Sequence, residues 1–133
     1  MQASREDRLA ALERATAVRQ RIGKYHNRRV ERNGIWFRSM LELNYAKELE
    51  LRRHAEDPNE RVDWWCYEVT FYLPTIRPRK YVRHVVDFLI GMAEPSGAFC
   101  LVECKGLETP TGKTKRLWLE TYLEQPIRVV ERV

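Results

Sequence analysis

The sequence predicts one α/β domain: a mixed β-sheet flanked by helices, preceded by a basic N-terminal helix and a β-hairpin. Three observations point there. The periodicities along the chain run helix, three consecutive strands, helix, strand, an order that builds a layered α/β core. The length of 133 residues suits a single domain with a real core. A hydrophobic content of 44% argues against a disordered chain.

The elements follow in order. Residues 5–22 are expected to form a helix on the thin apolar stripe of Leu9, Leu12, Ala15 and Ile22, decorated by Arg5, Arg8, Arg14, Arg19 and Arg21. Residues 24–37 form a hairpin. Its turn is Asn33-Gly34, since both residue types tolerate positive φ, and its return strand is Ile35-Trp36-Phe37. Ser39-Met40-Leu41-Glu42 is a capping box that opens a helix running to about residue 54. Leu41, Tyr45 and Leu49 share one face of it. Strands are expected over residues 62–73, 81–91 and 98–105. Pro74 and Pro78 bound the first connection, which carries Arg77, Arg79 and Lys80. Glu94-Pro95-Ser96-Gly97 turns the second. A helix over 113–124 and a last strand over Ile127–Val130 complete the chain, with Pro126 between them.

Charge divides the chain. Residues 1–32 carry nine Lys or Arg against four Asp or Glu, and residues 33–133 carry fifteen of each. The net charge of +5 therefore sits in the first quarter. Arginines number 18 and lysines 6. Arginine suits forked phosphate recognition, although genomic base composition or a hot habitat produces the same bias. No run approaches the roughly 20 apolar residues of a membrane span, so no membrane partner is expected. The charged N-terminus is not a secretory signal, and three cysteines suit a reducing compartment. A cytoplasmic location is the expectation.

Candidate chemistry lies on the second and third long strands. Alternation puts Tyr81, Arg83, Val85, Asp87 and Leu89 on one face of the second, with Val82, His84, Val86, Phe88 and Ile90 on the other. On the third, Glu103 and Lys105 project together, opposite Cys100, Val102 and Cys104. A hairpin symmetric about Pro95 pairs residues whose numbers sum to 190. Asp87 then faces Glu103, with Cβ atoms roughly 4.5–5.5 Å apart. Two carboxylates so close repel each other and call for cations. Lys105 supplies one charge, and Mg²⁺ prefers such oxygens. The rival reading is an ion pair of Lys105 with one acid at a sheet edge. Cys100 and Cys104, roughly 13 Å apart on one strand, are too distant for a disulfide and are read as buried thiols. His84 is read as a satisfied core histidine, and Glu68 as solvent-facing or paired. His26 has no mark beyond its basic surroundings. Trp64 and Trp65 point to opposite faces.

The stretches Val85-Val86-Asp87-Phe88-Leu89-Ile90 and Leu101-Val102-Glu103-Cys104-Lys105-Gly106 resemble the PD-(D/E)XK nuclease superfamily. The resemblance covers residues 35–131 and implies a restriction-endonuclease-like core there, behind an arm of residues 1–34. Val86 stands where the motif has proline, which the superfamily often lacks. Glu42 matches a glutamate common on the first core helix. The Ser39-x-x-Glu42 start, the aromatic first strand and the short length look most like small phage-encoded endonucleases, including Holliday-junction resolvases. The N-terminal subunit of heteromeric transposases has a similar layout.

The resemblance implies an endodeoxyribonuclease that uses Mg²⁺, with Mn²⁺ as a substitute. Asp87 and Glu103 would hold the ion with the Cys104 backbone carbonyl. Lys105 would orient water or stabilise phosphate charge. Glu42 would act through water or on a second ion, in competition with its capping role. The implied partner is DNA, branched or four-way in form. Cutting both strands of a junction requires a homodimer. Arg83, Lys113, Lys115, Arg116, Arg28 and Arg29 are the candidate DNA contacts; for the helix residues, exposed charge in the first turn is the equal alternative. Two rival functions remain: a transposase-type or restriction-like nuclease subunit, and a non-catalytic DNA-binding module of the same fold.

Overall fold

A computed structural model describes residues 5–6, 19–22 and 28–133. The chain divides into two compact units, Met1–Leu43 and Asn44–Val133. No helix among the described residues is long and apolar enough to cross a membrane.

The first unit holds a three-stranded antiparallel sheet of β1 (Arg19–Ile22), β2 (Arg28–Arg32) and β3 (Ile35–Phe37), in that spatial order. The Asn33-Gly34 turn is as expected: φ is 52° and 83°, the doubly positive pair that matches strand twist, and Arg32 pairs with Ile35. Val30 and Phe37 are buried. The helix expected over 5–22 is corrected at its end. Residues 5–6 are helical, but Arg19–Ile22 pair with β2. A thin stripe stabilises a helix weakly, whereas the β2 edge offers a full set of backbone hydrogen bonds. The rest of that stripe, and His26, lie outside the described residues.

Helix α1 (Met40–Arg52) begins as its capping box predicts. The Glu42 amide donates to Ser39 Oγ at 3.2 Å, and that hydroxyl donates to Glu42 Oε2 at 2.8 Å. Leu43, Tyr45, Ala46 and Leu49 are buried. Leu41, expected on that stripe, is only half-buried.

The second unit is α/β, built on a four-stranded mixed sheet in the order β4 (Val62–Pro74), β5 (Tyr81–Met92), β6 (Phe99–Cys104), β7 (Ile127–Val130). The first three strands are antiparallel neighbours, while β6 and β7 are parallel. A parallel pair needs a crossover, which helix α2 (Pro110–Leu123) supplies. It starts three residues earlier than expected. Thr109 is its N-cap, accepting from the Gly112 amide at 3.1 Å, and Pro110 takes the first helical position, where its missing N–H costs nothing.

Leu73, Val86, Leu101, Leu119 and Ile127 form a buried cluster, with Phe71, Val82, Leu89, Trp118 and Leu123 packed against it. Each large aliphatic side chain there contributes about 1.5–3 kcal/mol. Phe88 packs elsewhere, against the rings of Tyr45, Trp65 and Tyr67 at centroid distances of 5.1, 5.8 and 5.4 Å. Trp65 also donates to Glu50 Oε1 at 2.8 Å. Trp64 lies on the other face, across from Gly91. A Cβ at Gly91 would stand 2.2 Å from the Trp64 Nε1 and Cε2 atoms. Gly91→Ala is therefore expected to displace the indole and cost about 1–2 kcal/mol in urea unfolding. In a Trp64→Ala background the same change should be close to neutral; an equal cost there would show that the clash is not with Trp64.

Candidate functional site

Strand β6 places Glu103. Leu101, Val102, Glu103 and Cys104 are all buried, the signature of a strand covered on both faces. The β5–β6 ladder pairs Phe88 with Val102, Leu89 with Leu101, Ile90 with Cys100 and Gly91 with Phe99. Each pair sums to 190, the expected register, and the ladder ends at Phe88–Val102, one residue short of Asp87 and Glu103. The Asp87 carboxylate reaches across at this point: the Cys104 amide donates to its Oδ2 at 2.7 Å. Asp87 is 1% exposed and Glu103 0%. In a strand the N–H and C=O of one residue point to the same side, so the Cys104 carbonyl also lies on the Asp87 side. The Lys105 amide turns the other way, to the Val130 carbonyl at 2.9 Å.

Asp87 also marks a change of face along β5. Strict alternation separates Val86 from Leu89 and joins Val86 to Phe88. Instead Val82, Val86 and Leu89 share one cluster, and Phe88 packs in the other. The β4–β5 ladder runs Tyr67–Phe88 and then Val69–Val86, and between them Glu68 adopts a left-handed φ of 59°. Glu68 itself is exposed.

This change corrects the expectation for His84. The imidazole was expected on the face away from Glu103. It lies against it, with Nε2 2.5 Å from Glu103 Oε1. With its proton on Nε2, His84 donates to the carboxylate. Sequence reasoning missed this partner because it assumed unbroken alternation. The one available signal was Glu68, an acid inside an aromatic β run at the position facing Asp87.

The other Glu103 oxygen, Oε2, is buried with no hydrogen-bond partner among the described residues. Leaving such an atom unsatisfied costs on the order of 1–3 kcal/mol. Among the described residues no three His, Cys, Asp or Glu side chains are arranged to hold a metal ion. The groups expected to hold an ion at this end of β6, the Asp87 and Glu103 carboxylates and the Cys104 main-chain carbonyl, are all oxygen donors. Mg²⁺ takes that kind of set, whereas structural zinc requires four protein ligands. The orphaned oxygen and the oxygen-only donors fit a hard divalent cation.

The remaining candidates sit as follows. Lys105, one residue past β6, is half-buried, and its ammonium has no ion-pair partner among the described residues. Glu42 belongs to the first unit and is 3% exposed. Ser39 holds it there, and Arg38 Nη2 lies 3.5 Å from its Oε1. Arg83 is exposed, opposite Tyr72. Lys113 is exposed and Lys115 half-buried, both within α2 rather than opening it. Arg116 is engaged: Nε and Nη2 donate to Glu108 Oε1 at 2.9 and 2.8 Å, and Nη1 to Glu120 Oε1 at 3.4 Å. The hydrogen bond to Glu108 raises its affinity for the proton above the usual value, with Glu108, Glu120 and Glu103 adding through space. Arg28 and Arg29 lie on β2, opposite Ile22 and Arg21. The three cysteines are free; Cys104 is buried, Cys100 half-buried and Cys66 exposed. Burial pushes the Cys100 thiol up, which suits an inert side chain. A cavity of about 360 Å³ opens among Arg52, Ala55, Asn59, Glu60 and Met92, away from all of these candidates in its described lining.

No family model, curated protein or solved structure matches the chain.

Proposed function

We propose that the chain is a Mg²⁺-dependent DNA endonuclease with a restriction-endonuclease-like core, acting on branched DNA as a homodimer. One observation carries the reading. Glu103 is fully buried, binds His84 through one oxygen and leaves the other unpartnered, one peptide from the Asp87 carboxylate. Two buried acids so placed tend to repel each other, and a divalent cation would satisfy the Glu103 oxygen that has no hydrogen-bond partner among the described residues.

Asp87, Glu103 and the Cys104 carbonyl would hold the ion. When bound, Mg²⁺ supplies Lewis-acid polarisation of the scissile phosphate. The chain's own groups do the rest. Asp87, tied to the Cys104 amide, fixes the end of β6 against β5. His84 sets the Glu103 carboxylate in one orientation. Lys105 offers an ammonium to charge developing on the phosphate oxygens, or to the attacking water. The proposal stands on the Asn44–Val133 unit; in the other unit Glu42 serves as a helix cap. A junction is cut at two symmetry-related phosphates, which a chain with one site meets by pairing with a second copy.

The test incubates purified protein and Mg²⁺ with a four-way junction, a linear duplex and a single strand. Preferential cutting of the junction, stopped by EDTA, is the expected result, and DNA binding should weaken steeply with salt. No cleavage of any of the three with Mg²⁺ or Mn²⁺ overturns the nuclease reading. A species that stays monomeric on the junction by ultracentrifugation removes the resolvase part alone.

A further inference from the structure

We propose that the tip of the β4–β5 hairpin is a DNA wedge. Ile76 enters between bases at a branch point, and Arg77, Arg79, Lys80 and Arg83 hold the flanking phosphates. The inference deepens the nuclease reading and rests on it for the choice of DNA as the polymer.

Ile76 is 100% exposed. A single exposed apolar residue is ordinary by itself; its setting is what matters. The tip has a fixed conformation. Thr75 Oγ1 accepts from the Arg77 amide at 3.2 Å and donates to the Lys80 carbonyl at 2.8 Å. The Lys80 amide donates to the Arg77 carbonyl at 3.3 Å, and Arg79 turns the chain with a left-handed φ of 61°. Ile76 is therefore presented on a braced turn.

The charge around it has one sign. From Val69 to Val86 the sequence carries Arg77, Arg79, Lys80 and Arg83 and no Asp or Glu. All four are exposed, and none has an ion-pair partner among the described residues. Tyr72 and Tyr81 are exposed beside them, Tyr72 opposite Arg83 and Tyr81 opposite Pro74. Cations for phosphates, aromatic faces for bases and an apolar apex are what a base-step wedge combines.

Position links the tip to the chemistry. Lys80, one residue before β5, and Asp87 are seven residues apart, or about 23 Å at strand rise. One turn of duplex is about 34 Å, so one DNA molecule reaches both. Inserting a side chain between stacked bases costs unstacking energy, and a branch point has less stacking to lose. The wedge therefore favours branched over linear DNA. A basic, apolar tip also suits an anionic lipid surface, but one side chain buries too little to anchor there.

The experiment uses the full chain in EDTA, with a four-way junction carrying 2-aminopurine at the branch point and a linear duplex of the same sequence. Wild type should raise the 2-aminopurine fluorescence on binding the junction. Ile76→Ser should abolish the rise and weaken junction binding about tenfold, with duplex affinity changed less than twofold. Arg77→Glu, Arg79→Glu and Lys80→Glu together should weaken both DNAs and lower the slope of log K against log salt by about 3. An Ile76→Ser chain that still gives the full rise overturns the wedge, as does binding to phosphatidylserine vesicles that Ile76→Ser abolishes while DNA binding is unchanged. The two readings fail separately. Binding with a wild-type fluorescence rise but no cleavage in Mg²⁺ leaves the wedge and sinks the nuclease; cleavage with a neutral Ile76→Ser does the reverse.

Discussion

Asp87→Asn is expected to lower the cleavage rate by about 10³-fold or more and to leave fold and DNA affinity in place. The substitution separates two jobs of one side chain. Asp87 accepts the Cys104 amide at 2.7 Å, and asparagine keeps a carbonyl oxygen for that bond. What it loses is the charge. Glu103, the neighbour of Cys104 in the chain, is buried as well, so removing one of the two carboxylates should relieve repulsion. Thermal stability without metal should therefore hold or rise, and affinity for DNA should hold or tighten. Mg²⁺ should raise the unfolding temperature of wild type, as a ligand of the native state does, and leave the variant unmoved. Asp87→Ala would instead remove the acceptor that the Cys104 amide uses, at a cost of about 1–3 kcal/mol. Single-turnover cleavage, DNA anisotropy and thermal melts with and without Mg²⁺ read these outcomes. If Asp87→Asn unfolds the protein, or loses DNA binding along with cleavage, Asp87 is structural and the metal reading fails.

Much of this site could be read from residues before any coordinates. The β5–β6 register followed from a turn centred on Pro95, because turn length fixes the parity of a hairpin, and four observed pairs keep it. The Asn33-Gly34 turn and the Ser39–Glu42 cap were legible for the same reason: each depends on a few adjacent side chains. The errors came where a distant partner decides. Arg19–Ile22 became a strand because β2 lay available to pair with it, which no local pattern announces. The start of α2 was misjudged differently. Thr109-Pro110 is a cap followed by a first-turn proline, a local signal that the expected start at 113 passes over. His84 was misplaced because a strand of 12 residues was treated as a regular pleat. The sheet changes face at Asp87, and that change brings an imidazole to Glu103.

His84→Ala is expected to destabilise the protein by about 3 kcal/mol and to reduce cleavage with little change in DNA binding. In wild type His84 occupies one oxygen of a carboxylate that is 0% exposed, and the other already lacks a partner among the described residues. Removing the imidazole would leave both oxygens unsatisfied and free the side chain to turn. His84→Gln retains an amide donor at similar reach and should recover most of the stability and part of the rate. Saturating Mg²⁺ should narrow the stability gap between His84→Ala and wild type, because the cation would compensate the same charge. A scaffold role for His84 alone would give none of that narrowing. A double-mutant cycle with Glu103→Gln isolates the contact. Coupling of about 1–3 kcal/mol in urea unfolding identifies His84 as the residue that positions Glu103. Additivity within about 0.5 kcal/mol would leave His84 a core residue whose loss merely opens a cavity. The short contact would then have no bearing on the carboxylate's role.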